Sequence, residues 1–185
     1  YAPLFAVLNV QPPQDLLAEF KTFSGSREML HHITYRKQLF QAQAVLESDW
    51  MMGAATGMRR RWDQHCPGTV HWKLGDEMGW LLVHGENAAE AKIEGRNLQI
   101  FATESDAEHP LRILIHVPNA DLKQITENTW TLPGMTFNVQ TVLPAPEVIR
   151  KTEKRFGDVI EIAFPMPDTV DEHMPVLVLS PVKTE

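Results

Sequence analysis

The sequence predicts an α+β fold: a helical N-terminal region over residues 1–67, then a mainly antiparallel, strand-rich core over 68–185, together one domain. Three observations predict it. Residues 27–52 contain no proline or glycine, and two apolar series, Ile33, Phe40 and Ala44 and Leu39, Ala42, Leu46 and Trp50, recur at helical spacing. After Gly68 the texture changes to strand-sized apolar or alternating segments at 69–74, 79–84, 91–102, 111–117, 135–143, 158–164 and 176–180, bounded by Gly, Pro, Asp and Asn. No helical pattern of useful length interleaves with these segments. That favours an antiparallel arrangement, such as a split β-sandwich, over a doubly wound parallel sheet.

Taken in order, residues 4–10 form a candidate edge strand. Pro13 suits the first position of a helix, where its missing N–H would have no partner anyway. Asp15 favours the positive end of that helix, Leu16, Leu17 and Phe20 give it an apolar stripe, and Gly25 caps it. The long segment that follows carries apolar residues over a wide arc, which predicts packing on more than one side. Gly53 and Gly57 weaken helicity, and Arg59, Arg60, Arg61 and Trp62 fall in a short piece before Pro67. In the second half, Leu111, Ile113, Ile115 and Val117 share one strand face, with Leu114 and His116 on the other. Phe137 and Val139 alternate with Asn138 and Gln140 as a half-exposed strand, and residues 144–155 read as an exposed loop.

A chain of 185 residues, 43% hydrophobic and 22% charged, is long enough for one sizeable core and too apolar for wholesale disorder. Neither a membrane-length apolar run nor a secretory leader pattern is read from it. The single cysteine, Cys66, excludes an internal disulfide framework and favours a reducing compartment for a soluble protein. The net charge of −7 is uneven: residues 1–62 hold 7 basic and 5 acidic side chains, residues 63–185 hold 10 and 19. A uniformly basic nucleic-acid-binding surface is therefore not expected, and Arg59, Arg60 and Arg61 read as a solvated basic face or as a docking site for an acidic partner.

Several residue groups invite chemistry. Cys66 lies beside His65, but neighbours in sequence rarely aim both side chains at one reacting atom, so a packed cysteine is the simpler reading. His65, Cys66, His71 and His84 follow no compact zinc spacing, and the adjacent His31 and His32 are not an i,i+4 ligand pair, so no metal is expected. Trp72 and Trp80 flank a turn-like segment and are the tryptophans most suited to an interface.

One family resemblance bears on function. A strand ends in Val117-Pro118-Asn119-Ala120, Thr126-Glu127-Asn128-Thr129-Trp130-Thr131-Leu132-Pro133-Gly134 follows, and then come Met135-Thr136-Phe137-Asn138-Val139 and Val159-Ile160-Glu161-Ile162-Ala163-Phe164. This stretch, within residues 111–164, resembles the C-terminal half of an ADP-ribosyltransferase domain, where a catalytic glutamate precedes a Leu-Pro-Gly-like turn and a Phe-x-Val strand. The resemblance implies NAD as cofactor. It implies Glu127 and His84 as catalytic residues, and His84, Gly85, Thr103 and Ser105 as cofactor contacts. Thr129 stands where the family pattern places its essential carboxylate. The leading expectation is therefore a non-catalytic protein-interaction or assembly domain with a protein partner, Trp72, Trp80, Arg59, Arg60 and Arg61 forming its interface. The alternative is an NAD-dependent mono-ADP-ribosyltransferase effector or toxin domain.

Overall fold

The computed structural model describes residues 24–35, 38–57, 66–84, 89–102, 109–153 and 157–183. Among the described residues thirteen strands follow one another. They are β1 (Arg27–Tyr35), β2 (Gln38–Leu46), β3 (Trp50–Thr56), β4 (Gly68–Leu74), β5 (Glu77–His84), β6 (Ala89–Glu94) and β7 (Asn97–Ala102). Then come β8 (Leu111–His116), β9 (Thr129–Leu132), β10 (Met135–Thr141), β11 (Glu147–Glu153), β12 (Gly157–Phe164) and β13 (Leu177–Lys183). A single 3₁₀ turn, Leu122–Gln124, is capped by the Asp121 side chain and is the only helical element among the described residues.

The strands make two antiparallel sheets. The larger has eight strands in the order β1-β2-β3-β4-β5-β8-β12-β11, the smaller five in the order β6-β7-β13-β10-β9. The chain crosses between sheets after β5, β7, β8, β10 and β12, so each sheet is assembled from hairpins and returning strands. Sequence alternation sorts the side chains. Val70 and Trp72 of β4, Leu81 and Val83 of β5, Ile113 and Ile115 of β8 and Ile160 and Ile162 of β12 point inward from the larger sheet. Leu98, Ile100, Trp130, Phe137, Leu177 and Leu179 meet them from the smaller one. Burying each such side chain contributes on the order of 1.5–3 kcal/mol. Trp72 meets Phe137 edge to face at 5.8 Å, and its indole Nε1 donates to Pro133 O at 2.9 Å, tying the two sheets together.

The edge of the smaller sheet is closed by a side chain. Ile93 of β6 donates its N–H to Gln43 Oε1 at 2.8 Å and accepts from Gln43 Nε2 at 3.3 Å. One glutamine of β2 thus meets both the donor and the acceptor of Ile93, as a neighbouring strand would, and the edge is protected.

The expected α+β class is corrected: among the described residues the protein is antiparallel β throughout. The helix expected over 27–52 is instead β1, β2 and the start of β3, paired from Arg27↔Leu46 to Tyr35↔Gln38 and from Leu46↔Met51 to Gln41↔Thr56. The absence of Gly and Pro permits a strand as readily as a helix. Ile33, Thr34, Tyr35, Phe40, Val45 and Trp50 supply the β-branched and aromatic content of strands. The helix expected from Pro13, and the piece bearing Arg59 to Trp62, lie outside the described residues. In the second half, the segment expected over 91–102 is a hairpin, β6 and β7, turning at Gly95 with φ +59°. Strand β9 was not expected, and the loop expected over 144–155 contains the edge strand β11.

Candidate protein-interaction face

Strand register decides which side chains share the outward surface of the larger sheet. Cross-strand pairs run Arg27↔Leu46, Leu46↔Met51, Met51↔His71, His71↔Trp80 and Trp80↔His116. These six side chains form one continuous row across six strands, on the side turned away from the smaller sheet. A parallel row, Met29, Ala44, Gly53, Thr69, Leu82, Leu114 and Glu161, lies beside it. The face is therefore mostly apolar in its middle, and among the described residues no second layer of strands packs on it.

Methionine dominates its exposed part. Met29, Met51 and Met78 are 52%, 40% and 55% exposed. All three point outward, because Met78 pairs with Lys73, two residues along β4 from His71. Between them Trp80 is half-buried and stacks on the His116 ring at 5.3 Å, while His116 Nδ1 lies 3.0 Å from Asp158 O. His71 Nε2 is 2.7 Å from Thr69 Oγ1, and burial holds its imidazole below the usual histidine range. A shallow cleft of about 150 Å³ opens at the β2–β3 turn, lined by Leu46, Trp50, Met51, His71, Lys73 and Met78 among others.

Towards β11 the face turns polar. Glu161 is buried and pairs with Arg112 Nε at 3.5 Å and with Lys151 Nζ. Two cations around one carboxylate compensate its desolvation, so this cluster reads as a structural anchor holding β8, β12 and β11 in register. His84 stands next to it, opposite Arg112, with Nδ1 buried.

The sequence-predicted sites are thus dispersed. Trp72 and Trp80 sit on opposite faces of the same sheet: Trp72 in the core, Trp80 on the outward surface. Glu127 is exposed in the loop entering β9 of the smaller sheet, and His84 belongs to β5 of the larger. Among the described residues no hydrogen bond or ion pair joins Glu127 to His84. Gly85, Thr103, Ser105, Arg59, Arg60, Arg61 and His65 lie outside the described residues. Cys66 Sγ donates to Gly68 O at 3.1 Å, and burial of the thiol pushes its pKa up to about 11. A thiol so raised is protonated near neutral pH and is a poor nucleophile. Among the described residues no group of three His, Cys, Asp or Glu side chains could hold a metal ion, and no helix is long and apolar enough to cross a membrane.

The sequence reasoning missed the methionines. Their signal is a register effect: Met29, Met51 and Met78 are far apart in sequence and come to share one sheet face only when β1, β3 and β5 are aligned. No family model matches the chain, and no match was found among curated proteins or among solved structures.

Proposed function

We propose that the protein is a non-catalytic protein-interaction module that binds its partner through the outward face of the larger sheet. The single observation that supports this is that Met29, Met51, Met78 and Trp80 share one sheet surface on which no strand among the described residues packs. Methionine is unbranched and polarizable, so it adapts to irregular partner surfaces, and a half-buried indole supplies a rigid anchor. Sheet faces normally bury their apolar side against a second layer. A partner protein supplies that layer here. The chemistry of the remaining candidates agrees: the Cys66 thiol is held protonated near neutral pH, and Arg112 and Lys151 compensate the Glu161 carboxylate.

The test is site-specific photo-crosslinking in cells, with a benzophenone side chain at position 51 or 78 and, as control, at Val142, which is exposed on a loop after β10. A discrete protein adduct from 51 and 78, absent from 142, is the expected result. Equal adducts from all three positions refute the face. NAD consumption by the purified chain, abolished by Glu127→Ala, would replace the reading with the transferase alternative.

A further inference from the structure

We propose that Met51, Met78 and His71 form a binding site for a soft monovalent metal ion, Cu(I) or its analogue Ag(I), in the cleft at the β2–β3 turn. Strand register puts the three donors on neighbouring positions. Met51 of β3 stands directly opposite His71 of β4, a pairing that sets Cβ atoms about 4.5–5.5 Å apart. Met78 of β5 pairs with Lys73, two residues along β4 on the same face. That makes Met78 a diagonal neighbour of His71, at about 7–8 Å and within reach of long side chains. All three residues line the same cleft of about 150 Å³, and both methionines are exposed to solvent there. The imidazole thus lies on the strand between the two that carry the thioethers.

The donor set names the metal class. Thioether sulfur is a soft ligand that selects Cu(I), and imidazole suits copper as well. Zinc is held by thiolates, imidazoles and carboxylates, and no group of three such side chains is placed to hold an ion among the described residues. Thioethers lie outside that donor set. Thr69 Oγ1 is 2.7 Å from His71 Nε2. With Nε2–H donating to that hydroxyl, the Nδ1 lone pair is left for the metal, and the second hydrogen bond fixes the ring as metal-bound imidazoles require. Lys73 also lines the cleft, but its Nζ donates to Ser48 O at 2.7 Å and lies 4.0 Å from Asp49 Oδ1. The turn therefore offsets the one cation that would oppose a metal ion among these lining residues. An interaction surface needs methionines alone; the imidazole opposite Met51 is the feature a soft metal explains.

The site stands independently of the partner reading, and its test needs only the purified full chain. The probe is Ag(I), which is redox-inert, added to protein labelled at its methionine methyl groups and followed by proton–carbon correlation spectra and calorimetry. One equivalent is expected to shift the methyl resonances of Met51 and Met78 and to leave that of the buried Met135 in place. Met51→Leu and Met78→Leu, which nearly conserve volume, assign the two resonances and are each expected to raise the Ag(I) Kd roughly tenfold or more. Cu(I), competed against a chromophoric chelator, is expected to show the same order of affinities, and Zn(II) to shift neither methyl. Cys66→Ser is expected to keep the methyl shifts, because that thiol is the other soft donor in the chain. Binding that survives both leucine variants, or that disappears in Cys66→Ser, places the metal on other donors and overturns the site. Methyl resonances that stay fixed in excess Ag(I) overturn it too. Crosslinking to a protein from positions 51 and 78 is read separately, so failure of either reading leaves the other standing.

Discussion

Gly79 lies opposite Trp72 in the β4–β5 pair and carries the indole over its missing side chain. A Cβ at position 79 would sit 2.2 Å from Trp72 Cε2, 2.4 Å from Cζ2 and 2.5 Å from Nε1. Carbon atoms rest at about 3.5–4.0 Å from one another, so Gly79→Ala requires the ring to move by more than an ångström. The ring has little room to move. It is buried, meets Phe137 edge-on, and donates to Pro133 O across the sandwich. Overpacking costs about 1–3 kcal/mol, and breaking the indole hydrogen bond adds about 1–3 kcal/mol for a buried donor left without a partner. The sum is about 2–5 kcal/mol, or a fall in Tm of roughly 4–20 °C for a chain of this size. Urea unfolding gives the free energy, and near-UV circular dichroism reports the indole's packing. In a Trp72→Leu background the same substitution should cost at least about 1 kcal/mol less, because the clashing ring is gone. Gly75→Ala is the contrast: its φ is +61° with nothing within 4 Å, so backbone strain of about 1 kcal/mol is the whole expected effect. A Gly79→Ala protein within about 0.5 kcal/mol of the parent, or an equal cost in both backgrounds, refutes the reasoning.

Three further expectations concern other parts of the molecule. Gln43→Leu removes the side chain that bonds both N–H and C=O of Ile93, and should destabilise by about 1–3 kcal/mol while accelerating amide exchange at Ile93; unchanged exchange there would show that the β6 edge needs no glutamine. Alkylation of Cys66 should rise with pH around a midpoint of about 11, well above the ordinary thiol value, and stay slow near neutrality; fast labelling at pH 7 counts against a raised thiol pKa. The hydrogen bond from Ser26, with Arg96 assisting, holds the Glu47 carboxyl below its ordinary value of 4.5. A depressed carboxyl stabilises the fold above that value and loses the contribution as pH falls through the lowered one. Ser26→Ala and Arg96→Ala should therefore weaken the protein slightly at neutral pH and match the parent in acid; a difference that grows on acidification contradicts the sign.

The second half of the fold was legible because its turns and its alternation agree. Gly75 and Gly134 occupy the left-handed region that hairpin turns demand, and Leu111 to His116 or Phe137 to Gln140 sort cleanly into inward and outward residues. β1 and β2 offer neither aid. Their connection falls at Arg36-Lys37, which carries no turn chemistry, and Leu, Gln, Ala, Glu and Met are good helix formers. The alternation in β2 is present but its polarity misleads: Gln43 is on the inward side because it serves as a strand surrogate for β6, while Ala42, Ala44 and Leu46 face outward. A pattern search that expects apolar residues inside finds no strand there.

The interface tryptophans show the same limit at the level of a site. Trp72 and Trp80 are separated by an even number of positions, which in one continuous strand would put them on the same face. The turn at Gly75 breaks that count, and the register Trp72↔Gly79 and His71↔Trp80 sends one indole to the core and the other to the surface. Composition names the residues, register assigns them. That assignment also explains the exposed apolar side chains of the larger sheet. The larger sheet has three more strands than the smaller, and β1 lies beyond its cover. A hairpin without a second layer is marginal in water, because neither of its faces is fully buried. Met29, Leu30 and Leu39 are the apolar side chains left at that overhang, and Met51 and Met78 continue the exposure along the outward face.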